Sequence, residues 1–356
     1  MKVLILAPAP LHISPSQRFR YEQYIELTHP NCRFHHHAFF SEKTWSILFL
    51  RNHFLQKAWG ILIGFCRTFL LLFSVPRYHV IYVHRGITPL GPPVFEWLIA
   101  CVFRKKLIFD FDDAIWVRSA SEANPLAAWF KFNAKVKRIC SYSHIVAVGN
   151  EYLAAYARQY CRDVRIIPTV VDTNNHHNQI KDHHKTGLVI GWTGTFTNFS
   201  NLQTILPVIN ELSSKYFFSF QIIADRDPEF KEVLYRYKQW NRETEIEDLL
   251  NFSIGIMPLV AEEMEKGKCA FKAIQYMSLG IPPVVSPVGA NRVVVDHGIN
   301  GFLAATPEEW KDALEKLLTN AHLREEFGKK ARQKIEASYS VKATQQAFFD
   351  LFDVKA

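Results

Sequence analysis

Two stretches of this chain open in the same way, and that repetition constrains its fold more than any other feature. Residues 3–7 (VLILA) form a short aliphatic run, followed by a loop and a helical pattern over residues 17–24. Residues 188–192 (LVIGW) form another, followed by Thr-Gly-Thr and a helical pattern over residues 198–215. An apolar strand that runs through a turn into a helix begins a doubly wound α/β domain, in which ligands gather at the carboxyl ends of the strands. Two such openings imply two such domains, and 356 residues let each bury its own core. Between them, residues 174–185 (NNHHNQIKDHHK) hold almost no apolar side chain and read as an exposed linker. The expected division is a first domain over 1–173, a linker over 174–186, a second domain over 187–338 and a helical segment over 339–356.

Further strands are expected at 80–83, 106–109 and 144–148 in the first half, and at 218–223, 254–257 and 283–286 in the second. Short apolar runs alternating with helical stretches point to parallel sheets. The last long helix, residues 323–338, sets Glu325, Lys329 and Lys330 opposite Phe327, Ala331 and Ile335, the pattern of a packed surface helix. His35, His36 and His37 alternate within an expected strand, so they cannot converge on one ion and are read as structural. The six cysteines show no paired metal spacing and suit free thiols in a reducing compartment. The amino-terminal apolar run is too short for a signal-peptide core.

The net charge of +8 favours anionic partners. Nucleic acid is not expected among them, because the basic residues are dispersed and no recognised motif accompanies them. Residues 45–75 are apolar but dotted with Arg51, Lys57 and Arg67 and carry Trp45 and Trp59. Their charge-free runs fall short of a spanning helix, so the expectation is a helix lying in the headgroup region of an anionic membrane surface. Lys131, Lys135 and Arg138, at helical spacing, form a second basic face.

The chemistry concentrates in residues 265–303 (EKGKCAFKAIQYMSLGIPPVVSPVGANRVVVDHGINGFL). A helix is expected to begin near residues 269–271. Its free N–H groups and dipole, beside Lys268 and Lys272, make a ready site for a pyrophosphate.

The run from Gln275 to Gly289 (QYMSLGIPPVVSPVG), with Asn300 and Gly301 after it, resembles the donor-binding segment of the family 4 glycosyltransferases. Weaker similarity covers Val148 to Asn150, residues 166–172 (IIPTVVD), residues 256–259 (IMPL) and residues 338–340 (SYS). The resemblance implies the GT-B fold, two Rossmann-like doubly wound domains facing an interdomain cleft. It also implies transfer of a sugar, with retained anomeric configuration, from a nucleoside diphosphate donor to a glycan or lipid-linked acceptor. No cofactor or obligatory metal is expected, and the enzyme would work in the cytoplasm on the inner face of the membrane, in cell-envelope or exopolysaccharide synthesis.

The family places a pair of glutamates around the glycine turn before this helix, and here Gly267 and Gln275 occupy those positions. Gln275 retains hydrogen-bonding capacity for a ribose hydroxyl, and Glu265 stands close enough to take over a catalytic contact with the sugar. Where the family carries Arg and Lys after the first strand of the second domain, Gly194, Thr195, Thr197 and Asn198 offer neutral donors, so the diphosphate charge would fall to Lys268 and Lys272. A sugar-nucleotide epimerase and a non-catalytic binding partner of other glycosyltransferases remain alternatives.

In the first domain, the strand expected at 106–109 runs into Asp110, Asp112 and Asp113. Similar enzymes carry a His or Asp at this strand end facing acceptor and donor sugar, which assigns catalytic roles to Asp112 and Asp113. Asp110 and Asp112 also match a metal-binding Asp-x-Asp pattern, and helix capping is a third reading. Arg18 and Arg20, in the loop after the first strand, and His84 and Arg85, at the end of another, are the expected acceptor-binding residues.

Overall fold

The computed structural model describes residues 1–27, 31–48, 50, 52–117, 134–184 and 187–353. It divides into two compact units, Met1–Thr169 with Gln345–Ala356, and Val170–Thr344.

The first unit is built on β1 (Lys2–Ala7), β2 (Arg33–Ala38), β3 (Val80–His84), β4 (Lys106–Phe111), β5 (Ile145–Val148) and β6 (Val164–Ile166). All pair in parallel, in the order β2-β1-β3-β4-β5-β6. Parallel strands covered on both faces need near-continuous apolar sequence, and β1, β3, β4 and β5 have it. The chain steps from β1 out to β2, then crosses to the other side for β3. The switch point of the sheet therefore lies between the ends of β1 and β3.

The second unit repeats the scheme with β7 (Val189–Gly194), β8 (Ser219–Ala224), β9 (Arg236–Gln239), β10 (Ile254–Met257), β11 (Pro283–Val285) and β12 (Phe302–Leu303). Their order is β12-β11-β10-β7-β8-β9, again all parallel, which puts the switch point between β7 and β10. The α/β class and the two doubly wound sheets thus match the expectation from sequence.

Local differences have physical causes. The helical pattern over 198–215 is broken into Phe199–Gln203 and Leu206–Ser213, because Pro207 has no N–H to continue the ladder and instead opens the second helix. Residues 174–184 are not free of the fold. Lys181 N donates to Leu279 O at 2.8 Å, His183 Nε2 lies 2.8 Å from Gly280 O, and Arg332 donates to Thr173 O at 3.1 Å. His177 and His183 are buried, so this polar stretch is a strap on the second unit. The carboxyl-terminal helix Val341–Phe349 and the residues after it supply Phe348, stacked on Tyr24 with centroids 4.3 Å apart, and Phe352, 6.1 Å from Tyr82.

The apolar segment forms two helices, Glu42–Leu48 and Phe54–Leu72. The second turns Gly60, Gly64, Thr68 and Leu72 inward, one turn apart. A Cβ on Gly60 would lie 2.4 Å from Thr44, and one on Gly64 would lie 2.6 Å from Phe39, so the glycines allow the helix to seat closely. Phe54, Leu55, Trp59, Leu62, Phe69 and Leu70 face outward. By length and composition this one helix is sufficient to cross a membrane, which the charge-free runs alone did not suggest. Arg51 and Lys131 lie outside the described residues. Lys135, read as part of a basic face, is instead buried, its ammonium donating to Thr88 Oγ1 at 2.9 Å.

Candidate functional site

Each unit carries a polar cluster at the carboxyl edge of its sheet. In the second unit the cluster surrounds residues 194–198, the turn that follows β7 at the switch point. Gly194 leaves room for Lys272, whose ammonium lies 5.6 Å from the centroid of the buried Trp192 ring. Lys268 Nζ donates to Asn198 Oδ1 at 2.6 Å. Arg226, just past β8, stacks its guanidinium carbon 3.7 Å from the Phe196 ring centroid. Three cations therefore touch one short turn. Thr195 and Thr197 are exposed on it, their hydroxyls 2.8 Å apart. Sequence reading found Lys268 and Lys272 but not Arg226, which is remote in sequence and is brought in only by the pairing of β7 with β8.

Glu265 is buried beside this turn. Its Oε1 accepts from Asn201 Nδ2 at 3.3 Å and Lys268 Nζ at 3.4 Å, while Oε2 is buried with no hydrogen-bond partner. A buried carboxylate oxygen left in that state is costly unless a ligand hydroxyl completes it. Gln275 is also buried, and its amide is engaged: Nε2 donates to Glu245 Oε1 at 3.2 Å, which accepts from Trp240 Nε1 at the same distance. The carboxylate absent from position 275 is thus present on the neighbouring helix Glu245–Leu249.

In the first unit, Asp110 at the end of β4 is fully buried against the Arg20 guanidinium and His84 Nδ1, the latter at 2.7 Å. Arg20 also donates to the Ile167 carbonyl, so its guanidinium is held within the fold. Arg18 is buried too, 4.8 Å over the Phe19 ring. Asp112 accepts from Ser16 Oγ at 2.9 and 2.8 Å and from Arg85 Nε at 2.7 Å. Arg85 reaches this position from a left-handed backbone, φ 57°, directly before Gly86 at φ 126°. Asp113 is only 4.0 Å from Arg85, and its Oδ1 accepts from the Ala114 N–H at 3.0 Å.

Burial alone would raise both Asp110 and Asp112. Arg20 and His84 offset it at Asp110, and Arg85, His84, Arg20 and Ser16 at Asp112, holding both carboxyls below their usual range. The expected residues His84, Arg85, Asp112 and Arg20 therefore form one network, joined by Asp110 and by Ser16, which sequence reading had not assigned. The two aspartates of the Asp-x-Asp pattern face different cations. Among the described residues, no three His, Cys, Asp or Glu side chains are grouped to hold a metal ion.

Residues 187–320, most of the second unit, match the family described as glycosyl transferases group 1. No curated protein matches the chain. Among solved structures, HepE of Anabaena in complex with UDP superposes with a TM-score of 0.69 at 12% identity, covering 99% of each chain. A glycosyltransferase from Rickettsia africae gives 0.70 at 10% identity, also covering 99% of each. Sucrose-phosphate synthase from Thermosynechococcus elongatus gives 0.62 at 14% identity, covering 82% of this chain and 77% of that one. The chain has the GT-B fold of two Rossmann-like domains, and its second unit is similar to the group 1 glycosyl transferases.

Proposed function

We propose that this protein transfers a sugar from a nucleoside diphosphate donor to a hydroxyl of a glycan or lipid-linked acceptor, in cell-envelope or exopolysaccharide synthesis. The observation that carries the reading is the convergence of Lys268, Lys272 and Arg226 on the turn after β7, at the switch point of the second sheet. Fixed cations and hydroxyl donors at that place suit a diphosphate, and they stabilise the negative charge that grows on it as the sugar leaves. The complexes of HepE with UDP and with UDP-glucose make a uridine nucleotide the first donor to test. Glu265, with a buried oxygen awaiting a donor, is assigned to a hydroxyl of the transferred sugar.

Retention of anomeric configuration and a hexosyl donor follow from the family resemblance. The outward apolar face of Phe54–Leu72, with Lys57 and Arg67 on the same helix, supports attachment to the anionic cytoplasmic face of a membrane. The deciding experiment is calorimetry and turnover with a panel of nucleoside diphosphate sugars, with and without excess chelator. Donor binding with release of the nucleotide and activity in chelator are expected. Binding of no donor in the panel would overturn the reading, and binding without turnover would favour a non-catalytic partner. The coupling constant at the anomeric proton of the product decides retention.

A further inference from the structure

Ser16, His84 and Asp110 stand in hydrogen-bonding sequence. Ser16 Oγ is 2.9 Å from His84 Nε2, and His84 Nδ1 is 2.7 Å from Asp110 Oδ2. His84 and Asp110 are wholly buried, whereas Ser16 is partly exposed. In this arrangement a carboxylate orients an imidazole, and the imidazole can draw a proton from a hydroxyl.

Ser16 has one hydroxyl proton and two groups competing for it, His84 and Asp112. Ionised carboxylates only accept, so His84 Nδ1 carries a proton toward Asp110 in either case. With Ser16 turned to Asp112, the contact at Nε2 requires a second ring proton, and His84 is an imidazolium. With His84 neutral, the Ser16 hydroxyl turns to Nε2, and Asp112 keeps its bond from Arg85. The neutral state balances Asp110 and Asp112 against Arg20 and Arg85. The other groups facing His84 are Tyr21, its ring 5.5 Å away, and beyond it His36, 3.0 Å from the Tyr21 hydroxyl; Asp113 lies behind Arg85.

We propose that Ser16, His84 and Asp110 form a proton relay for a hydroxyl-bearing substrate, with Ser16 as the residue that touches it. The inference rests on the glycosyl-transfer reading. The substrate oxygen bonds the anomeric carbon, and the bond from that carbon to the diphosphate breaks, its electron pair leaving with the nucleotide. The substrate proton passes to Ser16 Oγ as Ser16's own proton passes to His84 Nε2. The newly acquired Ser16 proton then turns to Asp112, and His84 later returns its extra proton to solvent.

Nuclear magnetic resonance of the full chain with isotope-labelled histidine reads both ring nitrogens of His84. At the pH of turnover, Nδ1 is expected to carry its proton toward Asp110 and Nε2 to show a hydrogen bond with Ser16. Ser16→Ala should shift the Nε2 resonance by removing its hydrogen-bond partner, and Ser16→Thr should restore it. An Nδ1 that carries no proton, or an Nε2 resonance indifferent to Ser16→Ala, overturns the relay. In turnover of UDP-glucose, Ser16→Ala should lower kcat about 10²- to 10⁴-fold with the donor KM unchanged, and Ser16→Thr should recover most of it. Calorimetry with UDP separates the two ideas. Absence of UDP binding to the wild type counts against the donor reading and leaves the resonance result to decide the relay. UDP binding with wild-type kcat in Ser16→Ala overturns the relay alone.

Discussion

Lys272 occupies space that any side chain on Gly194 would enter: a Cβ there would lie 2.9 Å from Lys272 Cε and 2.6 Å from the Trp192 ring. The glycine at the end of β7 thus determines where a cation stands on a different element, at the start of the helix Phe271–Ser278. Trp192 is packed in the core and has little room to retreat, so Gly194→Ala should displace Lys272. UDP affinity is expected to fall in that variant. In Lys272→Ala, loss of a charge-assisted bond should weaken binding by about 1.5–3 kcal/mol. Unchanged affinities in calorimetry, with both variants folded, would remove this turn from the donor site.

The carboxylates should separate by role. Glu265→Gln should lower turnover by on the order of a hundredfold with UDP affinity largely kept, as for a group acting on the sugar. Asp112→Asn weakens the bonds from Ser16 and Arg85, and should lower turnover strongly. Asp113→Asn should have less effect than Asp112→Asn, since Arg85 stands 2.7 Å from Asp112 and 4.0 Å from Asp113. Steady-state kinetics on the three variants checks the order, and a severe defect in Asp113→Asn alone would refute it.

Acid should loosen the first unit before carboxylates titrate. Burial lowers His36 from 6.5 to about 4, assisted by nearby His37, His12 and His84. Burial also lowers His37 from 6.5 to about 4, assisted by Arg67. Both are neutral in the fold, so between those values the unfolded chain binds protons that the folded chain does not. Stability from this source is full above pH 6.5 and is lost as pH falls toward about 4. The loss is on the order of 1–3 kcal/mol for each histidine. Denaturant titrations at stepped pH should show the decline, and His36→Phe should blunt it; a flat profile across this window would contradict the assignment.

Membrane attachment can be read by co-sedimentation. The full chain should pellet with vesicles containing anionic lipid, and less so with neutral vesicles or at high salt, because each Lys or Arg near such a surface contributes about 1 kcal/mol. Lys57→Glu with Arg67→Glu should weaken the association without unfolding the protein. A wild type that stays in the supernatant with every lipid mixture would leave the outward face of Phe54–Leu72 without this role.

Elements buried on both faces were the most legible in the sequence. Residues 254–257 were read to the residue as β10, and β1, β3 and β8 within a residue or so at their ends. An unbroken apolar run admits few alternatives. By contrast, β9 (Arg236–Gln239) gives almost no apolar signal, because it is an edge strand with mostly outward side chains. The lysines of the second unit were found because they flank a local motif. Ser16 and Arg226 escaped notice as site residues because nothing local marks them, and Asp110 was marked only as half of an Asp-x-Asp pattern; each gains its present role from a neighbour far away in sequence. Gln275 shows the limit from the other side, since no local pattern reveals that Glu245 meets it.

The first unit takes its last pieces from the far end of the chain. Phe348, Leu351 and Phe352 are buried there, with the Phe348 ring against Tyr24 and Tyr82 and the Phe352 ring against Tyr82. During synthesis from the amino terminus, the second unit has all its residues in hand before the first does, although the first begins to emerge earlier. The half with the exposed apolar helix therefore waits, with an open aromatic seam, until residues 348–352 have been made. Order of birth and order of completion are reversed in this protein, and a chain made only as far as residue 344 would hold every residue of the second unit and an incomplete first.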